Sequence, residues 1–200
     1  MKIRLIFFLT MLSFKSFSQN TNLEKIALEF KPKAHAIAHQ PIKANFWGFK
    51  NAVILFYDTV ITDTSEYGTY SHNRIQSFIL IPDGSSYKKI LIDEFEDDNV
   101  DTEILSVFFA NADEDSEKEL IILTSNTHRL QYLYDGTDYT VYFYDNFNSN
   151  KIPKKMKSLN NPKLDIFSKN NFEGFLDDSD YISKYKNAED IKKELKQLGY

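Results

Sequence analysis

The chain has 200 residues, a formal net charge of −5, no cysteine, and 17 Phe and 12 Tyr against only 6 Gly. The absence of cysteine excludes a disulfide framework and a lipid-attachment cysteine. The acidic balance argues against nucleic acid as a partner, because that binding relies on neutralising phosphates with Lys and Arg. Abundant aromatics with scarce glycine favour strands over a disordered chain.

The opening "MKIRLIFFLTMLSFKSFSQN" places Lys2 and Arg4 before an apolar run from Leu5 to Phe14, followed by Ser16 and Ser18. That order predicts a secretory signal peptide over residues 1–18, cleaved near Ser18. A spanning helix needs about 20 apolar residues, and Lys15 interrupts this run too early, so no membrane span is expected in the mature chain. The expected location is periplasmic or secreted. Removing residues 1–18 takes away three cations, Lys2, Arg4 and Lys15, and lowers the net charge to −8. The remainder, 19–200, has the length of one domain able to bury a core without staples.

"TNLEKIALEFKP" predicts a short helix. Thr21 caps it with Glu24 three residues on, Leu23, Ile26, Ala27 and Phe30 share a face, and Pro32 ends it. "KAHAIAHQPIKANFWGF" has no clear period. From Ala52 the chain turns to strands: "AVILFYDTVI", then a polar connector over Thr62 to Asn73, then "RIQSFILI" and "YKKILIDEF" joined through "PDGSS" as a hairpin. "LQYLYDGTDYTVYFYD" reads as a second hairpin with its turn at Asp135-Gly136, a dipeptide that tolerates positive φ. Between the hairpins lie "EILSVFFA" and "ELIIL", whose continuous apolar character predicts central strands covered on both faces.

The expected architecture is therefore mainly β: an antiparallel sheet or small sandwich of about seven or eight strands between residues 52 and 145. "KIPKKMKSLNNPKLDIFSKNN" reads as a surface crossing segment. "NAEDIKKELKQLGY" reads as a helix over 188–198, capped by Asn187, with Glu189 and Asp190 in its first turn, Ile191, Leu195 and Leu198 on one face and Gly199 as the stop.

The strongest candidate site is "NADEDSEKEL", residues 111–120. Calcium takes six to eight oxygens from a flexible loop, and alternate residues converge on the inside of such a turn. Asn111, Asp113 and Asp115 have that spacing. The loop is not an EF-hand, whose sixth and twelfth positions are Gly and Glu where this chain has Ser116 and Ile122. The stretch resembles the D-x-D-x-D-G-x-x-[DE]-L calcium loop of integrin-type FG-GAP or VCBS-like β-propeller repeats. The resemblance covers residues 104–124, with Asn111 in place of the first Asp and Ser116 in place of the turn glycine. It implies calcium held by Asn111, Asp113, Asp115 and Glu119, with the backbone carbonyl of Glu117 as a further ligand. A closed propeller is not expected, since it needs at least about four blades of four strands and the loop occurs once. The opposing reading is a solvated acidic turn that keeps a sheet edge soluble. Mutual repulsion among Asp113, Glu114, Asp115 and Glu117, offset only by Lys118, favours the ion.

His35 and His39 in "HAIAH" would share a face and could grip a metal on a helix, but the alternation fits a strand as well, and the Glu of H-E-x-x-H is missing. His72 and His128 are isolated in sequence, and no G-x-S-x-G element or phosphate-binding glycine loop surrounds them. Among Tyr132, Tyr134, Tyr139, Tyr142 and Tyr144, the pair Tyr142 and Tyr144 shares one strand face; if open, that face would suit protein or glycan contact. Acids concentrate in residues 93–119 and lysines in 151–169, so the two groups could face each other.

The expectation is a non-catalytic, extracytoplasmic β-rich binding or structural module, stabilised by one calcium, with a protein or glycan partner. The alternative is an envelope inhibitor or partner-binding protein that uses its acidic surface against a basic enzyme. A glycan or peptide hydrolase ranks behind both, because no catalytic constellation emerges.

Overall fold

A computed structural model describes residues 22–66, 68–97, 100–130, 133–169 and 171–200. The proposed signal peptide over residues 1–18, the cap Thr21, and Tyr132 lie outside the described residues. The first described element is helix α1 (residues 22–30). There follow β1 (Ala36–Phe46), β2 (Phe49–Ser65), β3 (Gly68–Asp83) and β4 (Ser86–Phe95), which form an antiparallel sheet in the order β1-β2-β3-β4. A second antiparallel sheet takes β5 (Thr102–Ala110), β6 (Glu119–Leu130), β7 (Tyr134–Tyr144), β8 (Phe172–Leu176) and β9 (Ser179–Tyr181), also in chain order. A 3-10 helix (Pro162–Ser168) precedes β8, and helix α2 (Ala188–Leu198) closes the fold.

Alternation along each strand explains the layers. Ile54 and Phe56 of β2, Ile79 and Ile81 of β3, and Ile90 and Ile92 of β4 meet Leu120 and Ile122 of β6 and Tyr144 of β7 in a core between the sheets. The opposite face of the first sheet, with Val53, Leu55, Tyr57 and Leu80, packs on Ile26 and Ala27 of α1. The opposite face of the second, with Ile121, Leu123 and Phe143, is covered by Leu164 and Phe167 of the 3-10 helix and by Ile191 and Leu195 of α2. Strands with a helix on one side and a sheet on the other read as continuous apolar runs because both side-chain sets are removed from water.

The C-terminal helix forms as its residues predict. The Asn187 side chain accepts from the Glu189 and Asp190 N–H groups, and Gly199 takes φ 96°. The Gly199 N–H then bonds the Lys196 carbonyl and the Tyr200 N–H the Leu195 carbonyl, a Schellman stop. At α1, the Tyr57 hydroxyl donates to the Ala27 carbonyl at 2.7 Å, which anchors the helix on β2.

Several expectations are corrected. The polar stretch Thr62 to Asn73 is not a connector but the solvated end of the β2–β3 hairpin, paired Thr62 with Ser71 and Thr64 with Thr69. Hydroxyls pair across it (Thr62 with Ser71 at 3.1 Å), so it needs no apolar face and shows no apolar period. The turn into β7 is not Asp135-Gly136, because Leu130 pairs with Tyr134 and Arg129 with Asp135, so both turn candidates lie inside the ladder. Gly136 lies within β7, where a Cβ would collide with the Phe172 ring and the Glu173 carbonyl of β8; close backbone approach, not a turn, requires glycine there. β5 is an edge strand of its sheet, not a central one. Its apolar character comes from meeting the opposite sheet through Val107 and Phe109 and the helical layer through Phe108 and Ala110. Between residues 52 and 145 there are accordingly six strands, and nine among the described residues.

Two turns use unexpected residues. Trp47-Gly48 joins β1 to β2 with φ of 49° and 79°, and Asp177-Asp178 joins β8 to β9 with φ of 47° and 62°. Positive φ at both central positions is the requirement of the I′ hairpin turn.

Candidate functional site: the acidic loop between β5 and β6

Ala110 of β5 pairs with Glu119 of β6, so residues 111–118 form the connecting loop. Its shape comes from three successive Asx turns. The Asp113 N–H donates to Asn111 Oδ1 (3.4 Å), the Asp115 N–H to Asp113 Oδ1 (2.9 Å) and the Glu117 N–H to Asp115 Oδ1 (2.7 Å). Each short acidic or amide side chain thus supplies the acceptor that the backbone lacks two residues on. Asn111 Nδ2 also donates to the Asp115 carbonyl at 3.1 Å. Ser116 in place of glycine does not prevent this winding.

The turns bring Asp113, Asp115 and Glu119 together, with one carboxylate oxygen from each within 4.8 Å of the others. Glu119 is 0% exposed. One oxygen, Oε2, accepts the Ala112 N–H, while Oε1, also buried, has no hydrogen-bond partner among the described residues. Burial, and then the charges of Asp113 and Asp115, push its carboxyl up to about 7 even though the Ala112 N–H favours the ionised form. Glu117 is exposed and stands outside the trio. Asn111 is engaged in the winding of the loop itself.

Two residues that sequence reasoning missed border the trio. Leu120 pairs with Tyr144, so one step outward Glu119 neighbours Asp145, just past the end of β7. The Asp145 carboxyl is raised by burial first and then by Asp113 and Asp115. Asn146 Nδ2 donates to Asp115 Oδ2 at 3.2 Å. Placing the β6–β7 turn at Asp135-Gly136 shifts the register and hides this neighbourhood; the pairing of Leu130 with Tyr134 reveals it.

The loop is held from outside at three further points. The Trp47 indole donates to the Lys118 carbonyl at 2.6 Å. Asn161 Nδ2 donates to the Ala112 carbonyl at 2.8 Å, and Lys163 pairs with Glu114 at 2.8 Å. Acidic and lysine-rich segments do face each other, at this pair and at Lys155–Asp93, 2.8 Å.

The remaining candidates resolve differently. Tyr144 is 1% exposed and Tyr142 packs against Phe95 at 4.9 Å between ring centroids, so their shared face is the inter-sheet core and not an open docking face. His39 lies in strand β1, where residues four apart are about 13 Å apart, and His35 precedes that strand, so the helical grip does not form. Their Nδ1 atoms lie 3.0 Å from the Lys33 carbonyl and 2.7 Å from the Gln40 carbonyl respectively. His72 is not isolated: its buried ring meets Glu96 at 2.9 Å, and Glu96 also pairs with Arg74. His128 Nε2 lies 3.5 Å from Asp97 and 3.6 Å from Asp138. With a side chain 1% exposed, His72 is out of reach of a substrate. Among the described residues no helix is long and apolar enough to cross a membrane.

No protein family, curated protein or solved structure matches the chain. Fold and loop define a mainly β protein of two packed antiparallel sheets with an Asx-wound acidic loop at one end. The geometry of that loop therefore carries the functional reading.

Proposed function

We propose that the loop 111–119 holds one calcium ion and that the protein is a non-catalytic, extracytoplasmic binding module stabilised by it. The observation that carries the metal is Glu119: a fully buried carboxylate with one oxygen unpartnered, beside two more carboxylates. Burying such a group is costly unless a cation or donor meets it. A donor set of carboxylates alone, without His or Cys, suits a hard oxygen-seeking cation, and an eight-residue loop suits the flexible shell of calcium. Asp113, Asp115 and Glu119 would hold the ion. The winding of the loop supports its likeness to FG-GAP-type calcium loops.

An extracytoplasmic location supports the same reading, since weak sites with Kd of about 10⁻⁴ to 10⁻³ M fill there. The ion would offset most of the charge of the trio and tie the β5–β6 hairpin to the Asp145–Asn146 segment. Thermal melts in millimolar calcium and in EDTA test it. Calcium raises Tm and Asp113→Ala abolishes the rise; identical wild-type melts in the two buffers would refute the metal site.

A further inference from the structure

Beyond β7 the chain leaves the sheet at Asp145 and returns to its starting point at Lys157, where the Asp145 N–H donates to the Lys157 carbonyl at 3.0 Å. A segment of this size with its ends joined is an Ω-loop, a form that often carries function. Its far end is turned by the Lys151 N–H on the Asn148 carbonyl (2.9 Å) and the Asn150 N–H on Asn148 Oδ1 (2.8 Å). The returning limb is pinned to β4, since the Leu91 N–H bonds the Lys154 carbonyl (3.1 Å) and the Met156 N–H the Leu91 carbonyl (2.9 Å). The outgoing limb is pinned through Phe147, whose ring meets Trp47 at 5.0 Å and Phe49 at 5.7 Å.

Between these two fixed limbs lies a cavity of about 320 Å³ lined entirely by residues of the loop. Its apolar part is Phe147, Ile152, Pro153 and the buried Met156. Its polar part is Asp145, Asn146 and Asn148, with the exposed Lys151 and Lys157. Lys155 and Lys163 are engaged with Asp93 and Glu114, whereas among the described residues Lys151 and Lys157 form no direct salt bridge, and the Lys157 charge favours the ionised form of Asp145 in the same cavity. In a chain of net charge −5, two exposed cations at one cavity are a recognition feature. The amides add direction: Asn146 Nδ2 is spent on Asp115 and Asn148 Oδ1 on the Asn150 N–H, which among the described residues leaves Asn146 Oδ1 and Asn148 Nδ2 to a ligand.

We propose that this Ω-loop is a binding pocket for an acidic sugar, a uronic acid residue of a glycan. The apolar face of the sugar ring lies on Phe147 and Pro153, and its carboxylate meets Lys151 and Lys157. Its hydroxyls exchange hydrogen bonds with Asp145, Asn146 and Asn148. An apolar wall with a few convergent polar groups is the usual form of a small-ligand site. A neutral sugar would leave the two lysines unanswered, and an aliphatic carboxylate would leave the amides unanswered. The proposal deepens the binding-module reading by naming the ligand, and it does not require the metal. Asn146 is nevertheless shared between pocket and loop, so an ion that fixes Asp115 also steadies the pocket wall.

Titration of the full chain with D-glucuronate and D-galacturonate, followed by calorimetry and by the fluorescence of Trp47, tests it. D-glucose and hexanoate serve as the neutral-sugar and sugar-free controls. Saturable binding of a uronate is expected, with Lys151→Ala and Lys157→Ala each weakening it about fivefold at unchanged Tm. Glucose or hexanoate binding as well as the uronates would overturn the proposal, as would no saturable uronate binding up to about 10 mM, the weak limit of useful affinity. The titrations are run in calcium and in EDTA, and the calcium melt is recorded without sugar. Uronate binding with no calcium shift would reject only the metal site; a calcium shift without uronate binding would reject only the sugar pocket.

Discussion

Trp47 and Lys118 are 71 positions apart, yet the Trp47 indole Nε1 donates to the Lys118 carbonyl at 2.6 Å. The β1–β2 turn of one sheet thereby holds the exit arm of the acidic loop of the other. Trp47 is the only tryptophan in the chain, it takes φ 49°, and its ring meets Phe46 and Phe109 edge to face at 4.8 and 5.7 Å. A bulky residue in that backbone region persists only where surrounding contacts hold it. Calcium is therefore expected to change the tryptophan emission as the loop settles. Trp47→Phe keeps an aromatic ring but loses the donor, and is expected to lower stability by about 1 kcal/mol in a denaturant melt and to weaken calcium binding.

The buried Glu119 makes the metal-free protein sensitive to pH. Its folded carboxyl titrates at about 7 against an ordinary value of 4.5. Between these values the folded state holds a proton that the unfolded state has released, so stability falls as pH rises through that window. In EDTA, Tm is expected to decline from pH 5 to pH 7.5 through this group. Calcium, which requires the ionised form, reverses the trend and binds more tightly as pH rises. Glu119→Gln should remove both effects, and a pH profile in EDTA matching the wild type would contradict the assignment.

Asn161 and Lys163 both reach the loop, but they should matter unequally. Asn161 Nδ2 meets the Ala112 carbonyl at 2.8 Å and the Tyr200 hydroxyl at 2.6 Å, and Asn161 Oδ1 caps the Lys163 N–H at 3.1 Å. Asn161→Ala is expected to cost about 1–2 kcal/mol, the range of a lost cap with a partner left unsatisfied. Lys163→Ala removes a solvent-screened ion pair with Glu114 and the cation over the Tyr200 ring at 5.1 Å, and should cost clearly less. Equal losses in urea melts would refute this division.

Gly136 is expected to tolerate no side chain. Gly136→Ala drives a methyl into the Phe172 ring and the Glu173 carbonyl and should cost about 1–3 kcal/mol, the range for overpacking. Gly84, with φ 62° and open space around it, is constrained by backbone conformation alone. Its substitution by Asn should therefore be mild. Circular dichroism melts of the two variants distinguish packing from turn chemistry.

Local signals were sufficient wherever a feature depends on neighbours in sequence. The C-terminal helix, its Asn187 cap and Gly199 stop, the turn after Asp83, and the spacing of Asp113, Asp115 and Glu119 were readable because caps, turns and Asx windings act over two to five residues. The mainly β character and its flanking helices followed from apolar period and aromatic content. The alternation of Tyr142 and Tyr144 against Val141 and Phe143 was also correct.

Only the tertiary structure decided which faces were covered and by what. Val107 meets the opposite sheet while Phe108 meets the helical layer, so β5 looks central in sequence yet lies at an edge. Tyr144 is equally tyrosine-like in an open face or a core, and packing alone made it core. Asp145 and Asn146 joined the acidic loop through strand register, which a misplaced turn conceals because register is a long-range property. The hold of Trp47 on Lys118, the burial of Glu119 and the closed neck of the Asp145–Lys157 loop have the same origin. The first joins the two sheets across 71 positions, the second needs the helical layer packed over Ala112 and Ile121, and the third needs the returning limb held on β4; none follows from local periodicity.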